Sequence, residues 1–303
     1  MAKTFITPEK LQSAAGGDIN VLLQFDRHGL LLAPGEDAGS FARRMQILNQ
    51  ALENLSSELA GNRICEAAPG IKISNKAAIP HQIYDEALKV TQDLYGIRPD
   101  WVPGFFANES FGALWGGCAL SDPESQLVLF IIRKVFRNKR RWLVYDRREL
   151  MAHELTHAAH GVFNEWQFEE YFAYRSANSA LRRFSGGCFI HKFDAMFFLL
   201  PILLLPVVQF LNLFNITALP MWIFWLLAAV YPVYLVSRCV SLAVLAGKAR
   251  RFLRKQAVEN TDAVLFRLNC REIKSLAAGK MPPQDDLRWQ IIKKRFFPTE
   301  QGQ

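Results

Sequence analysis

The sequence predicts an α+β chain that carries a two-helix transmembrane hairpin. Three observations lead there. Apolar residues recur at helical spacing in the first part of the chain, and a short run rich in Val, Ile and Phe lies between turn signals near residue 130. Two long uncharged apolar stretches then follow one another between Ala195 and Ser237. With 303 residues, half of them hydrophobic, the chain has enough apolar material for one to three domains.

Residues 1 to 36 have a mixed pattern that ends at the turn signal "APGED". A helix is expected from Ser40, because Phe41, Met45, Leu48, Leu52, Leu55 and Leu59 are spaced alternately four and three apart. That seam is short for a free-standing coiled coil, so packing onto the neighbouring domain is expected rather than dimerisation. "GNRICEAAPGIKISNKAAIP" reads as a linker, and a second helix is expected over His81 to Leu94 before "YGIRP". Beyond "DWVPGFF" and "ALWGGCAL", the run Gln126 to Phe136 is the strongest strand candidate; the charged turn "RNKRR" leads into a short strand, "WLVYD". Gly116 and Gly117 lack the spacing of a nucleotide-binding loop.

The first apolar stretch, Ala195 to Ile216, would rise roughly 33 Å as a helix, enough to cross a bilayer. Leu219 to Ser237 forms the second, with Thr217 and Ala218 as a tight turn between them. Their prolines, Pro201, Pro206 and Pro232, are compatible with membrane helices. Gln209, Asn212 and Asn215 are expected to face the other helix or the far interface. Arg175, Arg182, Arg183 and Lys192 precede the hairpin; Arg238, Lys248, Arg250, Arg251, Arg254 and Lys255 follow it, and the turn carries no charge. Both termini are therefore expected on the cytoplasmic side. No segment near Met1 resembles a signal peptide, so the first 190 residues are expected there as well.

The net charge of +8 is concentrated beside the hairpin, which points to anionic lipid headgroups rather than nucleic acid. Five cysteines, scattered and without a CxxC pair, fit a reducing compartment and suggest no cysteine-based metal site.

The densest chemistry lies in "DRRELMAHELTHAAHGVFNEWQFEEYFAYR", residues 146–175. Asp146 is placed as an N-cap with Glu149 three residues on, as in a capping box, and Gly161 supplies the C-terminal break. On that helix His153 and His157 project from one face, where both imidazoles reach one ion at roughly 2.0 to 2.1 Å. Glu154 is placed to approach a water at the same point, so the pattern supplies two ligands, a base and an open position. With six His and 16 Glu in the chain, composition predicts roughly 0.006 chance matches to this motif. His160 is seven residues from His153, roughly 10 Å along the axis, and is expected to be a supporting or surface residue rather than a third ligand.

The third ligand is sought downstream, where "EEYFAYRSANSALRRF" reads as a second helix that folds back across "VFNEWQ". Here the sequence resembles the gluzincin zinc peptidases, in which a helix after HExxH supplies a glutamate, often as Glu-x-x-Ala; Glu170-Tyr171-Phe172-Ala173 matches. The resemblance covers about a tenth of the chain and implies zinc held by His153, His157 and Glu170, with Glu154 as catalytic base. Glu169 is the neighbouring alternative. The chain is also distantly similar to the membrane gluzincins of the HtpX and CAAX-prenyl endopeptidase kind, whose glutamate follows membrane helices; "VENTDAV" makes Glu259 the other alternative, although its spacing is one residue short and its Ala-Asp order reversed. Tyr171 and Tyr174 are candidate oxyanion donors, and Glu149 a candidate partner for a ligand histidine.

The expected organisation is a helical region and linker over 1–80, a zincin-like metallopeptidase domain with a small sheet and active-site helix over 81–190, the hairpin over 191–247, and a basic cytoplasmic segment over 248–303. The expected function is zinc-dependent hydrolysis of a peptide or protein substrate on the cytoplasmic face of a membrane, with the Gln126 to Phe136 strand pairing with the substrate. The alternative is a membrane scaffold or adaptor with a structural or vestigial zinc site. An intramembrane protease fits less well, because charged residues flank HELTH on both sides.

Overall fold

The computed structural model describes residues 5–107, 112, 115–122, 124–191 and 193–298. Lys192, one of the basic residues used to orient the hairpin, lies outside them, as do Ala113 and Leu114 of "ALWGGCAL".

Two short helices, α1 (Pro8–Ala15) and α2 (Ile19–Arg27), open the chain, each with a side-chain N-cap, from Thr7 and Asp18. Asp37 caps α3 (Ala38–Glu58) by accepting from the Ser40 amide at 2.8 Å. The whole seam from Phe41 to Leu59 is buried, so α3 spends its apolar face inside the molecule. The stretch read as a linker instead forms an antiparallel hairpin, β1 (Cys65–Ala68) and β2 (Ile71–Ile73), turning at Gly70 with φ +76°. Strands this short leave too few alternations for a period to be legible. Helix α4 (His81–Tyr95) then ends on left-handed Gly96.

The main sheet has the order β3-β5-β4, with β3 (Gly104–Phe106) parallel and β4 (Gly117–Ser121) antiparallel to β5 (Val128–Ile132). Strand β5 is shorter than the Gln126 to Phe136 run, since Lys134–Arg137 winds into a 3-10 turn. It is also the central strand, paired on both sides, and so has no free edge for a substrate. The period of two divides its side chains: Phe130 and Ile132 pack with Met151, Ala152 and Leu155 of the following helix, whereas Leu129 and Ile131 pack with Leu55, Leu59 and Phe105. "WLVYD" is not one strand but the turn of a minimal hairpin, β6 (Arg141–Trp142) and β7 (Tyr145–Asp146), with Leu143 at φ +49°.

Helices α5 (Arg147–His160), α6 (Trp166–Ala173) and α7 (Ala180–Ser185) follow; the single helix expected from Glu169 to Phe184 is broken by a 3-10 turn at Tyr174–Ser176. Helices α8 (Asp194–Leu213) and α9 (Met221–Lys255) are both long and apolar enough to cross a membrane. Their connection is longer than the expected Thr217-Ala218 turn. Asn215, at φ +57°, ends α8, with the Ile216 amide returning to Leu211 and the Asn215 amide to Asn212, while the Asn212 side chain bridges to Thr217 and Leu219. At the hairpin base, Asp194 accepts from Tyr231 at 2.6 Å and from Arg238 at 2.9 Å.

The division drawn at residue 247 falls inside α9. Ala246, Ala249 and Leu253 are buried in one cluster with Tyr95, Phe163, Phe168 and Phe172, joined by Phe266 and Trp289. The basic C-terminal segment thus contributes core through α10 (Thr261–Leu265), α11 (Cys270–Ala277) and α12 (Leu287–Phe296). Its buried Arg267 makes a two-pronged contact with Asp26 of α2, at 2.9 Å through both Nε and Nη2, and Arg295 joins the same carboxylate. Burial alone would raise the Asp26 carboxyl, but Arg267 and Arg295 hold it below the usual value. This contribution to stability is present above the carboxylate's unfolded pKa and is lost as pH falls through the depressed folded value. Asp26→Asn should therefore cost about 3–5 kcal/mol at neutral pH by stranding two arginines. Thermal unfolding in detergent should show that deficit shrinking as the pH is taken below about 4.

Candidate metal centre

Helix α5 starts where Asp146 accepts from the Arg148 amide at 2.9 Å. Glu149 does not complete a capping box. Its buried carboxylate accepts from the Asn178 amide and from Arg182, both at 2.7 Å, because the chain after α6 passes the start of α5 and offers a cation there. Those partners also mean that Glu149 acts on α7 rather than on a ligand histidine. At its other end α5 passes through Gly161 into a 3-10 turn, and left-handed Asn164 reverses the chain so that α6 lies back along α5.

That reversal brings three ligand groups together. The Nε2 atoms of His153 and His157 are 3.1 Å apart; Glu170 Oε2 lies 3.7 Å from the first and Glu170 Oε1 3.6 Å from the second. One ligand atom from each residue falls within 4.8 Å of the others, and among the described residues this is the group that could hold a metal ion. An ion bound tetrahedrally at roughly 2.0–2.1 Å has ligand-to-ligand edges of about 3.3–3.5 Å. The observed contacts lie near that value, although the two to Glu170 run to different oxygens, so the group can hold such an ion once one Glu170 oxygen turns to both histidines.

The surroundings prepare the ligands. Glu169, the alternative third ligand, sits 2.9 Å from His157 Nδ1. A proton on that nitrogen, donated to Glu169, leaves the Nε2 lone pair aimed at the common point. The backbone of Ala173 hydrogen-bonds His153, whose pKa is nevertheless pushed down to about 3 by burial and by His157, so the ring is neutral. Burial acts the same way on His157, but its bond to Glu169 and the charges of Glu170 and Glu154 outweigh it and raise the ring. Burial raises Glu170, and burial with Glu170 pushes Glu154 up to about 7.

Other expectations are resolved less favourably. His160 is neither surface nor in hydrogen-bonded support of the centre. It is buried, its ring packed 4.9–5.2 Å from Phe163, Phe172 and Phe266, with neither nitrogen hydrogen-bonded, and burial pushes it down to about 4. Tyr171 turns away to accept from Arg250 of α9 at 2.8 Å. The Tyr174 ring packs edge-on 4.6 Å from His153, and burial and Glu170 raise its hydroxyl. Glu259 is exposed between α9 and α10, outside the group. The role of Glu169 was not anticipated, although its place one residue before Glu170 was signal enough, since it puts a second carboxylate about 100° round the same helix.

Comparison with known proteins found no matching family, no matching curated protein and no matching solved structure. The fold and site define a mixed α+β protein with two helices apolar enough to cross a membrane and a His-His-Glu group able to hold a metal ion. Replacing His153 or His157 by Ala should abolish tight metal binding, measured as metal content after purification. Glu169→Ala should weaken affinity about 10- to 100-fold by releasing the His157 ring, while Glu259→Gln should leave it unchanged.

Proposed function

We propose that the chain is a membrane-anchored zinc metallopeptidase of the gluzincin type, with its active site on the cytoplasmic side. The observation that carries this reading is the convergence of His153, His157 and Glu170 beside the buried Glu154. A structural zinc site closes four protein ligands around the ion, and the described residues offer three. That favours an enzyme over a scaffold.

Zinc held by His153, His157 and Glu170 would supply Lewis acidity to a water and to the peptide carbonyl. Glu154 takes the water's proton during attack and returns it to the leaving amine. Burial raises the Glu154 carboxyl above the ordinary carboxylate range and so makes it a stronger base than an exposed glutamate. Glu169 keeps the His157 ring in register, and the Tyr174 hydroxyl, protonated at neutral pH, is a donor for negative charge that develops beside His153.

Substrate pairing belongs to β4. The Asp122 amide donates to Leu127 and the Arg133 amide to Gly116, which sets the alternation so that Cys118 and Leu120 turn their backbone groups towards β5. Gly117, Ala119 and Ser121 turn theirs to the outer edge, where no strand is paired among the described residues. An extended peptide can add there.

Glu154→Gln keeps size and packing but removes the base. Peptide cleavage should fall roughly 10²- to 10⁴-fold while metal content stays at the parent level; unchanged cleavage would refute the mechanism, and retained metal without any activity in the parent would favour the scaffold. The basic flanks and uncharged turn predict that tags at both termini are protected from protease added outside intact cells.

A further inference from the structure

Outside residues 189–244, eight large apolar side chains are exposed among the described residues. Five belong to three neighbouring elements: Leu143 (65%) and Val144 (73%) at the β6–β7 tip, Leu181 (72%) and Phe184 (42%) on α7, and Trp166 (44%) at the start of α6; only Ile47, Ile64 and Met281 lie elsewhere. The tip and α7 are joined, since Arg182 of α7 donates to the Val144 carbonyl at 3.1 Å. The Trp166 ring packs 4.5 Å from His191, just before α8.

These elements sit at a definite height. The Cys188 and Cys239 sulfurs are 3.0 Å apart, which fixes the chain after α7 against α9. From Met221 to Cys239 the helix rises roughly 27 Å, close to the thickness of a bilayer's hydrocarbon core. Residue 188, and α7 just before it, are thus level with one membrane interface. The chain leading into the tip also carries exposed Arg137, Lys139, Arg140 and Arg141, of which Arg140 and Arg141 reach the buried Asp146.

We propose that the β6–β7 tip and α7 form a second, non-spanning membrane contact, with Leu143, Val144, Leu181 and Phe184 entering an anionic bilayer surface and the basic cluster meeting its headgroups. The inference rests on the reading of α8 and α9 as membrane spans. Continuity with those spans and the charge of the tip select a lipid surface over a protein partner.

The test uses the full chain in lipid nanodiscs with the photocrosslinker p-benzoylphenylalanine replacing Val144, Leu181, Phe197 of α8 or Ile47 in turn, with metal content as the check on folding. In phosphatidylcholine mixed with phosphatidylglycerol, lipid adducts are expected at 144, 181 and 197 and not at 47. Adducts at 144 should fall several-fold in phosphatidylcholine alone and in Lys139→Ser with Arg141→Ser, leaving those at 197 unchanged. Lipid adducts at 197 but none at 144 and 181 would overturn the second contact. Their absence at 197 as well would overturn the spans themselves, and adducts at 144 to another protein chain instead of lipid would assign the tip to protein docking.

Discussion

The candidate centre depends on α6 lying back against α5. One helix can aim two histidines at a point, but the third ligand must come from an element whose position α5 does not set. Phe168 and Phe172, one turn apart, bury the inner face of α6. Phe172 meets Tyr95 and Phe266 edge-on, and the Tyr95 hydroxyl donates to the Phe172 carbonyl at 2.6 Å. With that face fixed, Glu169 and Glu170 are presented to His157. The third ligand is thus held in place from behind by α4 and by the C-terminal helices, far away in sequence.

Charge gives a second view of the same centre. Elsewhere, buried carboxylates are matched by arginine: Asp26 by Arg267 and Arg295, Glu272 by Arg288, and Asp194 by Arg238. Around His153, three carboxylates (Glu154, Glu169 and Glu170) gather with two imidazoles, and none pairs with Lys or Arg among the described residues. A pocket that gathers acid without a fixed cation is electrostatically incomplete, and an ion of the kind that His153, His157 and Glu170 could hold would supply the missing positive charge.

Periodic features were legible in the sequence and non-periodic ones were not. The α3 seam, the α4 and α5 boundaries and the two apolar helices each repeat over enough turns to show a period or a cap. The β1–β2 and β6–β7 hairpins are too short for that, and the break in α6 at Tyr174 has no glycine or proline to announce it. At the site, His153 and His157 were readable as a pair because four-residue spacing is itself the geometry. The preference for Glu170 came from resemblance, and its convergence with the histidines rests on packing by Tyr95 and Phe266. His160 was misjudged because its burial is a tertiary fact: the aromatic rings that enclose it include Phe266, more than a hundred residues away.

Helix α9 runs unbroken from Met221 to Lys255, so its exposed apolar half and the half buried with Phe172 are a single rod. No loop between them acts as a swivel. A helix is far stiffer along its axis than any connecting chain, and 35 residues span roughly 52 Å. Pro232 removes one backbone hydrogen bond near the apolar end, but from residue 233 to Lys255 the helix has no further break, so a tilt of that segment would be carried to the packing beneath Glu170.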